Sequence, residues 1–191
     1  MIALPDHHIV TLRGRDAATF AQAQFMSDVL ALADGHWQWS GWLTPKGRVI
    51  ALFALLKTDA ETIRLVLQDA DPAQFASRLQ GFVFRSKLAI EADGPWSVSG
   101  AFEAYPGAAG SQAAPTGDDG FALDVGGAGG PRSLFMGTAI DAAEDTDALA
   151  RWTAFDLGHG LPRLAASQSE QWTPQQLSLE RLRAYSVKKG C

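Results

Sequence analysis

The sequence contains one cysteine, and its neighbours favour reactivity. Cys191 follows Lys188, Lys189 and Gly190. Nearby cations lower the pKa of a thiol and favour the nucleophilic thiolate. An inert thiol at a frayed chain end gives the same pattern, so the residues alone leave both interpretations open.

Six tryptophans among 191 residues are a second candidate for chemistry. Trp37 and Trp39 share one face of a predicted strand, and Trp152 lies in a predicted helix. A planar heteroaromatic ligand needs an aromatic wall of this kind with a few polar groups beside it. For Trp37, Trp39 and Trp96, however, core packing is the expectation.

Other chemistries have little support. Four histidines and one cysteine give no metal-ligand spacing, so no metal site is predicted. The glycine-rich segment 126–130 lacks the Lys-Ser/Thr pair of a phosphate loop and predicts a hairpin turn. Asp156 and His159 are three residues apart at a predicted helix end, a spacing more typical of a helix terminus than of a catalytic pair.

The charge balance argues against direct nucleic-acid binding. The chain has 16 basic and 21 acidic residues, a net charge of −5, which opposes contact with a phosphate backbone. Residues 161–191 carry five basic and two acidic residues, so this segment either attracts anionic partners or is solvated surface. One cysteine and the lack of a long apolar run predict a cytoplasmic protein without a membrane span.

Apolar periodicity and turn residues predict the elements that position these groups. Helices are predicted at 16–25, from Asp71-Pro72 onward, at 146–157 with Gly158 as the stop, and near 177–183. The pattern predicts an α+β fold with helices packed on largely antiparallel sheets. The predicted strands lie at 8–13, 35–43, 48–57, 62–67, 86–91, 96–102, 121–125 and 132–136.

Four blocks of sequence resemble the YgfZ-type folate-binding proteins, which are relatives of the glycine-cleavage T-protein, an aminomethyltransferase. They are residues 12–29, 42–48 (Trp-Leu-Thr-Pro-Lys-Gly-Arg), 83–87 (Val-Phe-Arg-Ser-Lys) and 188–191. The last block matches the start of the family signature Lys-Gly-Cys-Tyr-x-Gly-Gln. The resemblance covers essentially the whole chain. Because the signature is interrupted at Cys191, it predicts a truncated protein.

The resemblance implies the first two domains of a three-domain fold around a folate-sized opening, with the C-terminal β-barrel missing. We expect an α+β folate-binding region at 1–103, a Gly/Ala/Pro-rich loop or linker at 104–120, and a second α+β region at 121–191. The first domain is discontinuous in some members of the family, so these domains can interleave.

The resemblance also implies a function. It predicts a protein that binds tetrahydrofolate or a one-carbon derivative and supports the synthesis or repair of iron–sulfur proteins, including tRNA-modifying enzymes. Cys191, in the motif Lys188-Lys189-Gly190-Cys191, corresponds to a thiol that the family requires.

Five further residues are carried over to the folate site. Trp152 matches a tryptophan implicated in folate binding, and His7 stands where another member has a tryptophan. Gln175 and Gln176 stand where the T-protein carries a pterin-binding glutamate. Arg163 completes the predicted set.

One departure from the T-protein bears on activity. The T-protein pattern Gly-Ile-Leu-Asp-Asp aligns with residues 47–51, in which Ile50 and Ala51 replace the acidic pair. Methylene transfer on a folate nitrogen needs a carboxylate to stabilise a developing cation or orient the amine. The replacement argues against aminomethyl transfer. The alternatives are a folate-dependent transferase that uses Cys191, and a scaffold that binds a protein through its cationic tail.

Overall fold

Two antiparallel sheets form the frame of the molecule. The computed structural model describes residues 1–92, 94–117, 119–138 and 140–189. The strands of this part of the chain are β1 Ile2–Ala3, β2 His7–Arg13, β3 His36–Leu43, β4 Val49–Asp59, β5 Thr62–Gln68, β6 Ala89–Ala92, β7 Ser97–Ala101, β8 Ala114–Thr116, β9 Gly120–Asp124 and β10 Ser133–Gly137. The helices are α1 Ala17–Gln24, α2 Pro72–Gln80 and α3 Thr146–His159, followed by 3₁₀ turns at Ala166–Gln168 and Leu179–Leu182.

The sheets pack face to face. The first has the strand order β1-β7-β10-β9-β8 and the second β3-β4-β5-β2-β6. In the second sheet, β4 and β5 alternate between two cores. Leu55 and Leu65 pack in the core that includes α1 and α2, while Leu56 and Val66 face the core shared with the first sheet. Burial on both faces accounts for the nearly continuous apolar run of β4.

The helix ends follow local sequence signals. Asp71 begins α2 as predicted, because its carboxylate accepts a hydrogen bond from the backbone N–H of Gln74 at 2.7 Å. The predicted stop of α3 at Gly158 is wrong. The helix continues to His159, and Gly160 is its C-terminal cap, with a left-handed φ of 87°.

The segment 104–120 is more ordered than a loop prediction implies. Residues 114–116 form β8, which pairs with β9, and Ala108 and Ala114 are buried in a small cluster with Phe135. The small side chains thus serve close packing as well as turns. The division of the chain into domains stays a prediction.

Among the described residues, no helix has the length and apolar content that a membrane crossing requires.

Candidate functional site

A cleft of about 800 Å³ lies between β4, α2 and the chain that follows α3. Trp42 and Phe75 border the cleft but are almost fully buried, at 2% and 5% exposed, with ring centroids 5.3 Å apart in an edge-to-face arrangement. Ile50, Ala51 and Leu164 add apolar surface. Trp42 reaches this place because β3 pairs with β4 so that Trp42 lies opposite Ala51. These side chains give the cleft an apolar floor, which suits a partly apolar ligand.

Polar groups from α2 line the same cleft. Asp71 lies at the N-terminus of the helix and Arg78 in its last turn. The Arg78 guanidinium is 5.4 Å from the ring centroid of Trp42, and its Nη1 lies 2.5 Å from Oε1 of Glu170. The cleft therefore combines apolar surface with a carboxylate and a guanidinium.

Asp69 directly follows the end of β5 and lines the cleft. The Nε of Arg163 donates to both carboxylate oxygens of Asp69, at 3.0 and 2.8 Å, and the backbone N–H of Leu164 donates to Oδ2 at 3.0 Å. The hydrogen bonds to Asp69 raise the pKa of Arg163 above its ordinary value. Asp69 has a φ of +60°, which is uncommon for a residue other than glycine and often marks a functional position.

Arg163 faces a buried histidine behind the cleft wall. Burial, followed by the charge of Arg163, lowers the pKa of His7 to about 3, so the imidazole is neutral at pH 7. Gln68 Nε2 donates to His7 Nε2 at 3.3 Å. His7 Nδ1 and Gln68 Oε1 have no hydrogen-bond partner among the described residues.

A second buried pair lies nearby. Arg132 Nη1 donates to Asp156 Oδ1 at 2.9 Å and to the Trp152 carbonyl at 3.2 Å. Burial raises the pKa of Asp156, and the charge of Arg132 opposes this shift. The guanidinium also lies 4.6 Å from the Trp152 ring centroid. This buried polar pair connects α3 to the residue that precedes β10.

Three predicted folate residues occur in this region, in different settings. His7 and Arg163 are electrostatically coupled behind the cleft wall. Trp152 is only 1% exposed, and a Cβ on Gly100 would lie 2.5 Å from its ring. Protein groups thus enclose the indole. The predicted contact between Trp152 and folate stays a prediction.

The other predicted residues lie elsewhere. Gln175 and Gln176 are exposed and do not line the cleft. Gln176 Oε1 accepts the backbone N–H of Thr173 at 2.9 Å, so its amide serves the local turn. The Lys188 backbone N–H donates to Ser186 Oγ, and Lys189 Nζ donates to the Phe25 carbonyl. Gly190 and Cys191 lie outside the described residues.

Sequence reasoning missed Asp69, Asp71 and Arg78 as site residues. The available signal was the run Gln-Asp-Ala-Asp-Pro between a strand and a helix, because such junctions commonly present functional polar groups. Among the described residues, no cluster of three His, Cys, Asp or Glu side chains could hold a metal ion.

Comparison with known proteins gives consistent relatives at low identity. The chain is 29% identical over 216 positions to the tRNA-modifying protein YgfZ of Serratia proteamaculans and 24% identical over 212 positions to that of Klebsiella pneumoniae. It is also 25% identical over 191 positions to an uncharacterized protein of Haemophilus influenzae. Each alignment covers all of this chain. The resemblance to the YgfZ-type proteins is confirmed.

The chain spans 64%, 63% and 64% of the lengths of the Haemophilus, Serratia and Klebsiella proteins. No family model matches it. Among solved structures, the glycine cleavage system aminomethyltransferase T of Bartonella henselae has a TM-score of 0.60 at 12% identity, covering 82% of this chain and 45% of that one. The α+β fold of the T-protein and YgfZ group is therefore confirmed.

Proposed function

We propose that this chain is the tetrahydrofolate-binding part of an accessory protein. In this proposal the protein supports the synthesis or repair of iron–sulfur proteins in the cytoplasm and, through them, tRNA modification. The observation that carries the proposal is the cleft between β4 and α2, in a chain that aligns over its whole length with proteins named tRNA-modifying protein YgfZ. The ligand is tetrahydrofolate or a one-carbon derivative.

Asp71 is the carboxylate best placed to receive the pterin. A pterin edge presents N–H donors, and a carboxylate accepts them in strong, charge-assisted hydrogen bonds. Asp69 is already occupied by Arg163 and by the Leu164 N–H. Asp71 accepts the Gln74 N–H through Oδ1, which leaves acceptor capacity on its other oxygen. Asp69 then acts as a positioning residue for the cleft wall.

The cleft favours binding over aminomethyl transfer. Ile50 and Ala51, which the resemblance to the T-protein pattern sets in place of its acidic pair, both line the cleft. Neither can stabilise a developing cation on a folate nitrogen. The second role in the proposal belongs to Cys191, as the functional thiol toward iron–sulfur clients, with Lys188 and Lys189 favouring its thiolate.

Calorimetric titration with tetrahydrofolate tests the folate proposal. We expect Asp71→Asn to weaken binding by about 1.5–3 kcal/mol, the contribution of hydrogen bonds to a charged group. The variant keeps the helix cap, because asparagine caps helices about as well as aspartate. Asp145→Asn is the matched control, since Asp145 caps α3 through the Ala148 N–H and does not line the cleft.

Two results would contradict the proposal. If the wild-type chain does not bind tetrahydrofolate, the folate proposal is wrong. If Asp71→Asn binds it with the wild-type affinity, the assignment of Asp71 to the pterin is wrong.

A further inference from the structure

An ion pair joins the two sides of the cleft. Arg78 lies on α2 and Glu170 lies in the chain after α3, next to the cleft-lining Ser169. The two side chains are 46% and 41% exposed. An exposed pair of this kind contributes only about 0–1 kcal/mol to stability. A carboxylate from outside the protein can therefore replace Glu170 on Arg78 at little cost.

The backbone around Glu170 is fixed. Its N–H donates to the Val49 carbonyl at 2.8 Å, and Ser169 Oγ donates to the Ile50 carbonyl at 2.8 Å. Both bonds attach this segment to β4. Release of Arg78 thus needs only a rotation of the Glu170 side chain, with no movement of the cleft wall.

Asp71 and Arg78 lie at opposite ends of α2, and both line the cleft. Asp71 and Arg78 are seven residues apart on one helix, which corresponds to about 10 Å along its axis. Trp42 and Phe75 form the wall beside them. The cleft therefore has an acceptor at one end, a cation at the other and apolar surface between them.

We infer that Arg78 binds a carboxylate of the ligand's tail and that Glu170 occupies Arg78 in the free protein. Guanidinium groups bind carboxylates in a bidentate manner. With a folate as ligand, the carboxylate is that of the glutamate tail, and this identification rests on the proposed function. Glu170 then acts as an internal competitor that lowers the affinity for folates with a tail.

Two matched ligands separate this inference from general binding. Tetrahydrofolate carries the glutamate, and tetrahydropteroate has the same ring and aminobenzoyl group without it. Both are titrated calorimetrically, under anaerobic conditions, into wild type, Glu170→Gln, Arg78→Gln and the double variant. Glu180→Gln and Arg85→Gln make the same charge changes at exposed residues that do not line the cleft. A thermal melt of each variant confirms folding.

We expect Glu170→Gln to bind tetrahydrofolate about two- to fivefold more tightly, because the ligand then no longer competes with a surface ion pair for Arg78. Arg78→Gln should bind it about tenfold more weakly, because a charge-assisted hydrogen bond is lost. Neither change should alter the affinity for tetrahydropteroate. In the double variant the effect of Glu170→Gln should disappear, since the two residues act as one unit.

The outcomes distinguish the inference from the proposed function. If Glu170→Gln leaves tetrahydrofolate affinity unchanged or weakens it, or if Arg78→Gln weakens both ligands equally, the inference is wrong and the folate site stands. If neither ligand binds the wild-type chain, the inference and the proposed function both fail.

Discussion

Asp69 and Arg163 join the end of β5 to the chain that follows α3. They are 94 residues apart in sequence, and the Arg163 Nε donates to both carboxylate oxygens at 3.0 and 2.8 Å. Their side chains are only 13% and 17% exposed. The same guanidinium donates through Nη1 to Thr153 Oγ1 at 3.2 Å, which connects the pair to α3. This contact fixes two walls of the cleft relative to each other.

Asp69→Asn should lower the free energy of unfolding by about 2–3 kcal/mol. Removing one member of a buried ion pair leaves an uncompensated charge, which typically costs 3–5 kcal/mol, and partial exposure of this pair reduces that value. Urea unfolding measures the effect. Asp6→Asn is the control, because Asp6 Oδ2 is 3.4 Å from Arg163 Nη2 and its side chain is 60% exposed. Equal, small effects of both variants would show that the Asp69 contact does not hold the fold.

His7 should make the protein less stable as the pH falls below 6.5. Burial and Arg163 lower its pKa from 6.5 to about 3 in the folded chain. The unfolded chain therefore binds more protons between these values, so stability is complete above pH 6.5 and decreases as the pH falls toward 3. The expected loss from pH 7 to pH 5 is about 2 kcal/mol.

A His7→Gln variant isolates this contribution. Asp156 has a raised pKa, so its protonation in the folded state works in the opposite direction, decreasing stability as the pH rises through its titration. That contribution is shared by both proteins and cancels in their difference. Urea unfolding at pH 5, 6 and 7 should show the wild-type stability changing more steeply than that of His7→Gln. Parallel pH dependences would mean that His7 titrates normally in the folded chain.

The local parts of the fold were predictable from sequence. The run Thr-Pro-Lys-Gly predicted the turn between β3 and β4, where Gly47 has a φ of +73°. The Asp71-Pro72 pair predicted the start of α2. Turns and caps depend on residues within a few positions of each other, and their signals remain readable in one sequence.

The candidate site depends on contacts that no local pattern encodes. Arg163 reaches Asp69 across 94 residues and Arg78 reaches Glu170 across 92. Sheet packing decides which polar residue of a strand becomes buried. His7 is buried, whereas its neighbour His8 on the same strand is less buried. The resemblance selected His7, Arg163 and Trp152, but only the packed structure separates the cleft wall from the core behind it.

Trp152 should contribute strongly to stability. Its indole is buried against Gly100 and beneath the Arg132 guanidinium. Trp152→Ala should cost about 3–5 kcal/mol, and Gly100→Ala about 1–3 kcal/mol because the new methyl group overlaps the ring. Thermal unfolding measures both. Tetrahydrofolate affinity of the folded fraction tests the predicted ligand contact, which requires a selective loss of about 1–3 kcal/mol in Trp152→Ala. An affinity near the wild-type value would mean that the indole serves packing alone.

The chain should show no aminomethyltransferase turnover. Ile50 and Ala51, which the resemblance to the T-protein pattern sets in place of its acidic pair, line the cleft, and an alkyl side chain cannot stabilise the cation that develops during methylene transfer. Asp71 does not replace them, since in the proposed site its free carboxylate oxygen is used by the pterin edge. The assay supplies tetrahydrofolate and the aminomethyl-lipoyl donor protein, and it measures methylene-tetrahydrofolate. An authentic T-protein in the same mixture is the positive control. Turnover at a comparable rate by this chain would mean that another group supplies the missing charge, and the assignment of the cleft as a binding site without transfer chemistry would be wrong.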